Sequence, residues 1–212
     1  MATQDLTIPA HKPIGEAPRD LDAVAAQETG SPFPYWNATT AFQLGIALRT
    51  RLLTFDKPTV IHISTVSTPA HVLFHSVSFL PGYSQSSHPK AVHFFFICNG
   101  IDMKLQVTHS GTTLDNDFWV SRKRNAVIRF GCSTWQLHNK FNGGDEELFA
   151  KKMGLGESAK EYAIHGGGVP VYVKGCDTPV AVAVVSGLKQ WDDHQVVVEE
   201  IEGVVKGLGR SG

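Results

Sequence analysis

From Val169 to Gly187 the chain reads VPVYVKGCDTPVAVAVVSG, two β-branched runs folded around a Gly-Cys-Asp-Thr turn. The second run is apolar from Val180 to Val185, so neither of its faces is suited to water. That is the pattern of a central strand, which constrains the rest of the chain to supply partners for it. TVIHIST from Thr59 alternates well enough to be a strand, and HVLFHSVS from His71 reads as its antiparallel partner across a loop containing Pro69.

Helical patterns surround these strands. Asn37 is placed to cap a helix from about Ala38 to Leu53, with Ala41, Leu44, Leu48 and Leu52 at helical spacing, and DKP at 56–58 stops it. Asp115 or Asn116 starts a mixed apolar and basic helix that extends beyond Phe130. A shorter helix is read at Glu146–Met153. A terminal helix begins near Asp192, with Val197, Ile201, Val204, Val205 and Leu208 as its buried stripe and Asp192 and Asp193 at the positive end of its dipole. The order helix, two strands, helices, two strands, helix predicts an α+β domain with a mainly antiparallel sheet.

Two segments stand apart. Residues 1–34 carry Pro9, Pro13, Pro18, Pro32 and Pro34 and read as a flexible arm with a short helix around Asp20–Gln27, ahead of one domain over 35–208. Near 79–109 the sequence changes character: a Ser/Pro/Gly linker precedes AVHFFFICNGIDMKLQVTH, a hairpin folded at Asn99-Gly100.

With 19 basic and 20 acidic side chains the net charge is −1, so no long-range field recruits nucleic acid or an anionic membrane. No apolar run is long enough for direct membrane insertion, and the start of the chain lacks a leader pattern. Cys98, Cys132 and Cys176 fit neither a disulfide framework nor a zinc spacing, as expected of reduced thiols in the cytoplasm. His62, His71, His75, His138, Glu146 and Glu147 form no recognisable metal spacing, so no metal site is expected.

The candidate chemistry lies in two places. SRKRN, Ser121 to Asn125, puts Arg122, Asn125 and Arg129 on roughly one helix face and Trp119, Lys123, Ala126 and Phe130 on another. An inward Arg122 or Lys123 needs an internal carboxylate, a backbone carbonyl or an anionic ligand; solvated charges and a subunit interface are the other readings. In HGGGVP, Gly166, Gly167 and Gly168 either leave backbone N–H groups free to cup an oxyanion or flat ligand, or serve a tight entry into a strand. His165, and His194 at the start of the last helix, are the candidate acid–base groups. There is no GxGxxG after a strand and no GxSxG elbow.

NATTAFQLGIALR, LFHS, GTTLDNDFWVSRKRNAVIRF, EYAIHGGGVPVYVKG and VAVVSGLKQWDDHQVVVEEI together resemble an uncharacterised UPF-type family of the haem-degrading-domain superfamily, with HbpS, GlcG and the C-terminal domain of PduO. The resemblance implies profilin-like α/β/α layers around a mainly antiparallel five-stranded sheet, and a homo-oligomer, either a dimer or an assembly of dimers. It also implies a small-ligand-binding or adaptor function. Haem or another tetrapyrrole is the implied ligand class, a haem-degrading enzyme and a structural homo-oligomer are the alternatives, and a fungal relative implies a protein partner in tail-anchored protein delivery. Carried onto this chain, its pocket comprises Asp115, Asn116, Trp119, Arg122, Arg124, Asn125, His165, Gly166, Gly167 and His194. Members of the family pass almost directly from LFHS to DNDFW, so the resemblance implies that the domain is interrupted by an atypical insertion near 79–109, either dispensable to the core or an artefact of the gene model.

Overall fold

The computed structural model describes residues 10–55, 57–78 and 114–210, without the side chains of 78, 114 and 115. The hairpin expected near 79–109 lies outside the described residues. The elements are α1 (Leu21–Thr29), α2 (Ala38–Leu52), β1 (Thr59–Thr65), β2 (Val72–Ser78), α3 (Leu114–Phe130), α4 (Thr134–Lys140), α5 (Glu146–Lys152), β3 (Gly168–Val171), β4 (Ala181–Ser186) and α6 (Gln190–Leu208). A 3₁₀ turn at Gly156–Glu161 leads into β3.

The described strands form one antiparallel sheet in the order β2-β1-β4-β3. β4 is central, as its two apolar faces require. Ala181, Ala183 and Val185 pack with Leu44, Leu48 and Leu52 of α2 and Val197 and Ile201 of α6. Val182 and Val184 turn to the opposite side and meet Val120 and Val127 of α3. Alternation along one strand thus separates two helical layers, and each fully buried leucine contributes roughly 1.5–3 kcal/mol. Beyond α3, Leu137 of α4, Phe149 of α5 and Ile164 form an outer cluster with Ala126.

Several expectations are corrected. The described sheet has four strands where five were expected; outside it, Phe33 makes only an isolated parallel bridge to Val173. The mixed helix does not run past Phe130, because Gly131 turns at φ +67° and Ser133 caps a new helix through its side chain. α3 begins at Leu114, so Asp115 and Asn116 lie inside its first turn and do not precede it. The segment 10–34 is held against the domain: α1 places Val24 beside Trp135 at zero exposure, Trp135 Nε1 donates to Pro18 O at 2.7 Å, and Phe33 is fully buried. Ala17, Val24 and Phe33 follow no helical or strand period, which is why the prolines dominate its sequence signal.

α2 crosses β2 at Gly45, where an added Cβ would stand 2.3 Å from the Phe74 ring. Phe74 is 3% exposed and edge-packed on Phe42, so the ring has no room to withdraw. Gly45→Ala should therefore destabilise the fold by about 2 kcal/mol, since an overpacking cost near 3 kcal/mol exceeds the ~1 kcal/mol gained in helix propensity; the shift of the urea midpoint at unchanged m-value measures it.

Candidate functional site

The triple-glycine turn lies over a buried ion pair. Lys123, on the face of α3 toward the sheet, sends its ammonium to Val185 O at 3.1 Å, Ser186 Oγ at 3.3 Å and Asp193 Oδ2 at 3.4 Å. Asp193, at the start of α6, also accepts from Leu188 N at 2.9 Å and Gly187 N at 3.3 Å. Both side chains are about 4% exposed. Burial draws the lysine below and the carboxyl above its ordinary value, while each partner's charge opposes that effect on the other. The inward cation expected on this helix is Lys123, and its carboxylate is internal. Asp193 therefore serves the pair while lying, as expected, in the first turn of α6 at the positive end of its dipole.

The glycines follow from this arrangement. At Gly167, φ is +119° and an added Cβ would lie 2.2 Å from Val185 O and 2.9 Å from both Lys123 Nζ and Asp193 Cβ. At Gly166 it would lie 2.2 Å from Gln190 O. Gly168 N donates to Thr134 Oγ1 at 3.0 Å. Here the turn passes close to other backbone, as the tight-entry reading has it, and it carries His165 out over the pair.

His165 meets two helices at once. Its Nδ1 lies 3.5 Å from Glu146 Oε1, in the first turn of α5, without hydrogen-bond geometry. Its ring stands edge-on to Trp119 at 5.1 Å. Arg122, one turn along α3, lies 4.7 Å over the Trp119 ring and 5.5 Å from that of Phe118, donates from Nε to Tyr162 O at 3.0 Å, and has Nη2 3.8 Å from Glu146. Burial, with Lys123 and Arg122 nearby, holds the His165 imidazole below its usual value against the opposing pull of Glu146. At neutral pH it is an uncharged donor and acceptor, half open to solvent, between aromatic faces and a cation. Phe118 is 53% exposed at the rim.

Trp119, Arg122, His165, Gly166 and Gly167 are thus brought together. Asn116 is half-buried in the first turn of α3, and the side chain of Asp115 lies outside the described set. The remaining expected residues are placed elsewhere. Arg124 donates to Ser64 Oγ, Thr65 O and Ser67 O, fastening α3 to the end of β1. Asn125 donates to Glu161 O at 3.2 Å, beside the carbonyl that Arg122 holds. His194 has zero exposure 6.2 Å from Trp135, and burial pushes its imidazole down to about 3. Glu146 and Phe118 join the cluster without having been placed in the pocket from sequence.

Replacing Lys123 with Met leaves Asp193 buried and unpaired, at an expected cost of about 3–5 kcal/mol. Lys123→Met combined with Asp193→Asn should be more stable than the sum of the single variants by at least ~1 kcal/mol, as a double-mutant cycle in urea measures.

Comparison with known proteins gives this geometry a family. The profile for haem degrading protein HbpS-like matches residues 94–202, beginning within the stretch that reads as an insertion. A UPF0303 protein of Paraburkholderia phymatum is 31% identical over 182 residues, covering 86% of this chain and 87% of the relative. One from Psychromonas ingrahamii is 28% identical over 191 residues, covering 90% and 96%. UPF0303 protein YBR137W of Saccharomyces cerevisiae is 38% identical over 104 residues, covering 49% of this chain and 55% of the yeast protein. The crystal structure of Ybr137w protein superposes with a TM-score of 0.68 at 26% identity over 89% of each chain. This chain belongs to the HbpS-like haem-degrading-protein family and, within it, to the UPF0303 group.

Proposed function

We propose that the protein binds a small, flat, anionic ligand of the tetrapyrrole class at the cluster of Phe118, Trp119, Arg122, Glu146 and His165. The observation that carries this reading is His165 itself: a half-open imidazole held neutral, edge-on to Trp119 at 5.1 Å and next to the Arg122 cation. A haem needs a neutral nitrogen donor for its iron, apolar faces for its ring and cations for its propionates, and these side chains supply those three properties. In this reading His165 is the iron ligand and Arg122 faces a carboxylate; Phe118 and Trp119 cover the ring. Bound there, haem supplies redox chemistry at its iron. The family description, which names haem degradation, supports the same ligand class. Binding is preferred to turnover because a neutral imidazole between two cations is suited to donating a lone pair.

Ferric haem titrated into the purified protein should give a shifted Soret band that saturates. His165→Ala should abolish the shift, and Arg122→Ala should weaken binding roughly tenfold, the effect of losing one charge-assisted contact, with the band position unchanged. A spectrum identical to free haem, or a shift indifferent to His165→Ala, would sink this reading.

The proposal also makes the protein cytoplasmic and homo-oligomeric, as a dimer or an assembly of dimers, with an adaptor role toward a partner in tail-anchored protein delivery as its second reading. Supporting it are Phe118, an aromatic ring more than half exposed, and the finding that no helix among the described residues is long and apolar enough to cross a membrane. Phe118→Asp should reduce the mass measured by light scattering if that ring lies between copies. An unchanged mass would remove Phe118 from any subunit interface.

A further inference from the structure

The segment from Ala10 to Pro34 crosses the domain and is fastened along its length. Arg51 donates to Pro13 O at 2.8 Å, Trp135 to Pro18 O at 2.7 Å, and Gln27 to Gln195 Oε1 at 3.0 Å. Amid these anchors α1 buries a carboxylate, Glu28, which is 8% exposed. One of its oxygens accepts from Ser133 N at 3.0 Å. The other has no partner, and among the described residues no lysine, arginine or histidine pairs with it.

The titratable groups facing Glu28 are both neutral at pH 7. Burial, and then Glu28 itself, pushes the Cys132 thiol up to about 12, and the Tyr172 phenol is raised by the same two causes. α1, LDAVAAQET, carries no cation of its own. A charged carboxylate is therefore costly here, whereas a protonated one is tolerated.

Beneath the same segment lie aromatic and histidine side chains. His138 stacks on Trp135 at 4.8 Å, Arg19 lies 5.6 Å over that indole, and His194 is fully buried with neither ring nitrogen partnered. Trp135 in turn abuts the glycine turn, where an added Cβ at Gly166 would stand 3.2 Å from its Cε3. What happens to this segment therefore bears on the wall behind His165.

We propose that residues 10–34 form a pH-governed cover: the proton on Glu28 holds the segment down over Trp135, His138 and His194, and loss of that proton loosens it. In the docked state burial raises the Glu28 carboxyl to about 7, against 4.5 in water. The Glu28 carboxyl by itself therefore weakens docking about tenfold per pH unit as pH rises between the two values. His138 and His194, held below their ordinary 6.5 by burial under the same segment, act with the opposite sign and favour the open state as pH falls below 6.5. Loss of the Glu28 proton opens the cover on the alkaline side.

Hydrogen exchange of the full-length protein tests this, read as protection factors so that the intrinsic pH dependence of exchange is removed. From pH 5 to 7.5, protection of the amides in Leu21–Thr29, taken as the ratio of wild type to Glu28→Gln so that the histidines cancel, should fall roughly fifty-fold, while the same ratio for Ala181–Ser186 in the central strand stays level. Val24→Ala, which weakens docking without touching the carboxyl, should lower protection in α1 by a similar factor at both pH values. A level ratio in α1 overturns the proposal. Should Glu28→Gln fail to fold, the carbon-13 shift of the Glu28 carboxyl in the wild type decides: titration at the ordinary carboxylate value overturns it.

Discussion

The Lys123–Asp193 pair is the contact around which the rest is arranged. It joins α3 to the start of α6 across the end of β4, and it is buried where an unpaired charge would be strongly unfavourable. Its presence dictates what can pass above it. The backbone at Gly167 runs so close to the ammonium and to Val185 O that no side chain fits. His165 is consequently delivered to one place, at the meeting of α3 and α5. The motif that looks from sequence like a ligand loop is first a solution to backbone crowding, and the exposed histidine is what that solution presents.

The cluster around His165 has its own electrostatic logic. Arg122 is held by the Tyr162 carbonyl and lies over Trp119, while Glu146 approaches both Arg122 and His165. Partial burial, helped by two cations, outweighs one half-exposed carboxylate, and the imidazole stays neutral. The same balance is absent at Glu28, which has the backbone N–H and the side chain of Ser133 for company and no cation among the described residues. One fold thus contains a buried ionisable pair whose charges compensate each other and a buried carboxyl with no such compensation, and they differ in whether a partner element supplies the opposite sign.

Much of the architecture was legible because its signals are local. Asn37 caps α2 by accepting from Thr40 N, the run around Val182 is the central strand, and Val197 and Ile201 face the core at helical spacing. The errors were made where a local signal competed with a distant contact. Prolines suggested a loose segment before Phe33, but Val24 and Phe33 are buried by residues more than a hundred positions away. A continuous basic and apolar pattern suggested one long helix, but a single positive φ at Gly131 ended it. Among the site residues, Arg122 and His165 were legible as unusual. Arg124 and His194 were equally conspicuous, yet the fold directs one to the β1 loop and encloses the other.

The sequence by itself determined the elements, their order and the central strand, since periodicity, caps and turn residues act between neighbours within a few positions. It also offered, beside solvated charges and a subunit interface, the reading that a basic residue on α3 finds an internal partner, because both faces of that helix mix apolar and basic groups. Which basic residue that is, and which acid receives it, was decided only when α3 and α6 packed on opposite faces of one sheet and met at its end. Tertiary packing likewise brought Glu146 to His165 and left Glu28 without a cation, because burial and charge pairing depend on distances that chain separation does not encode.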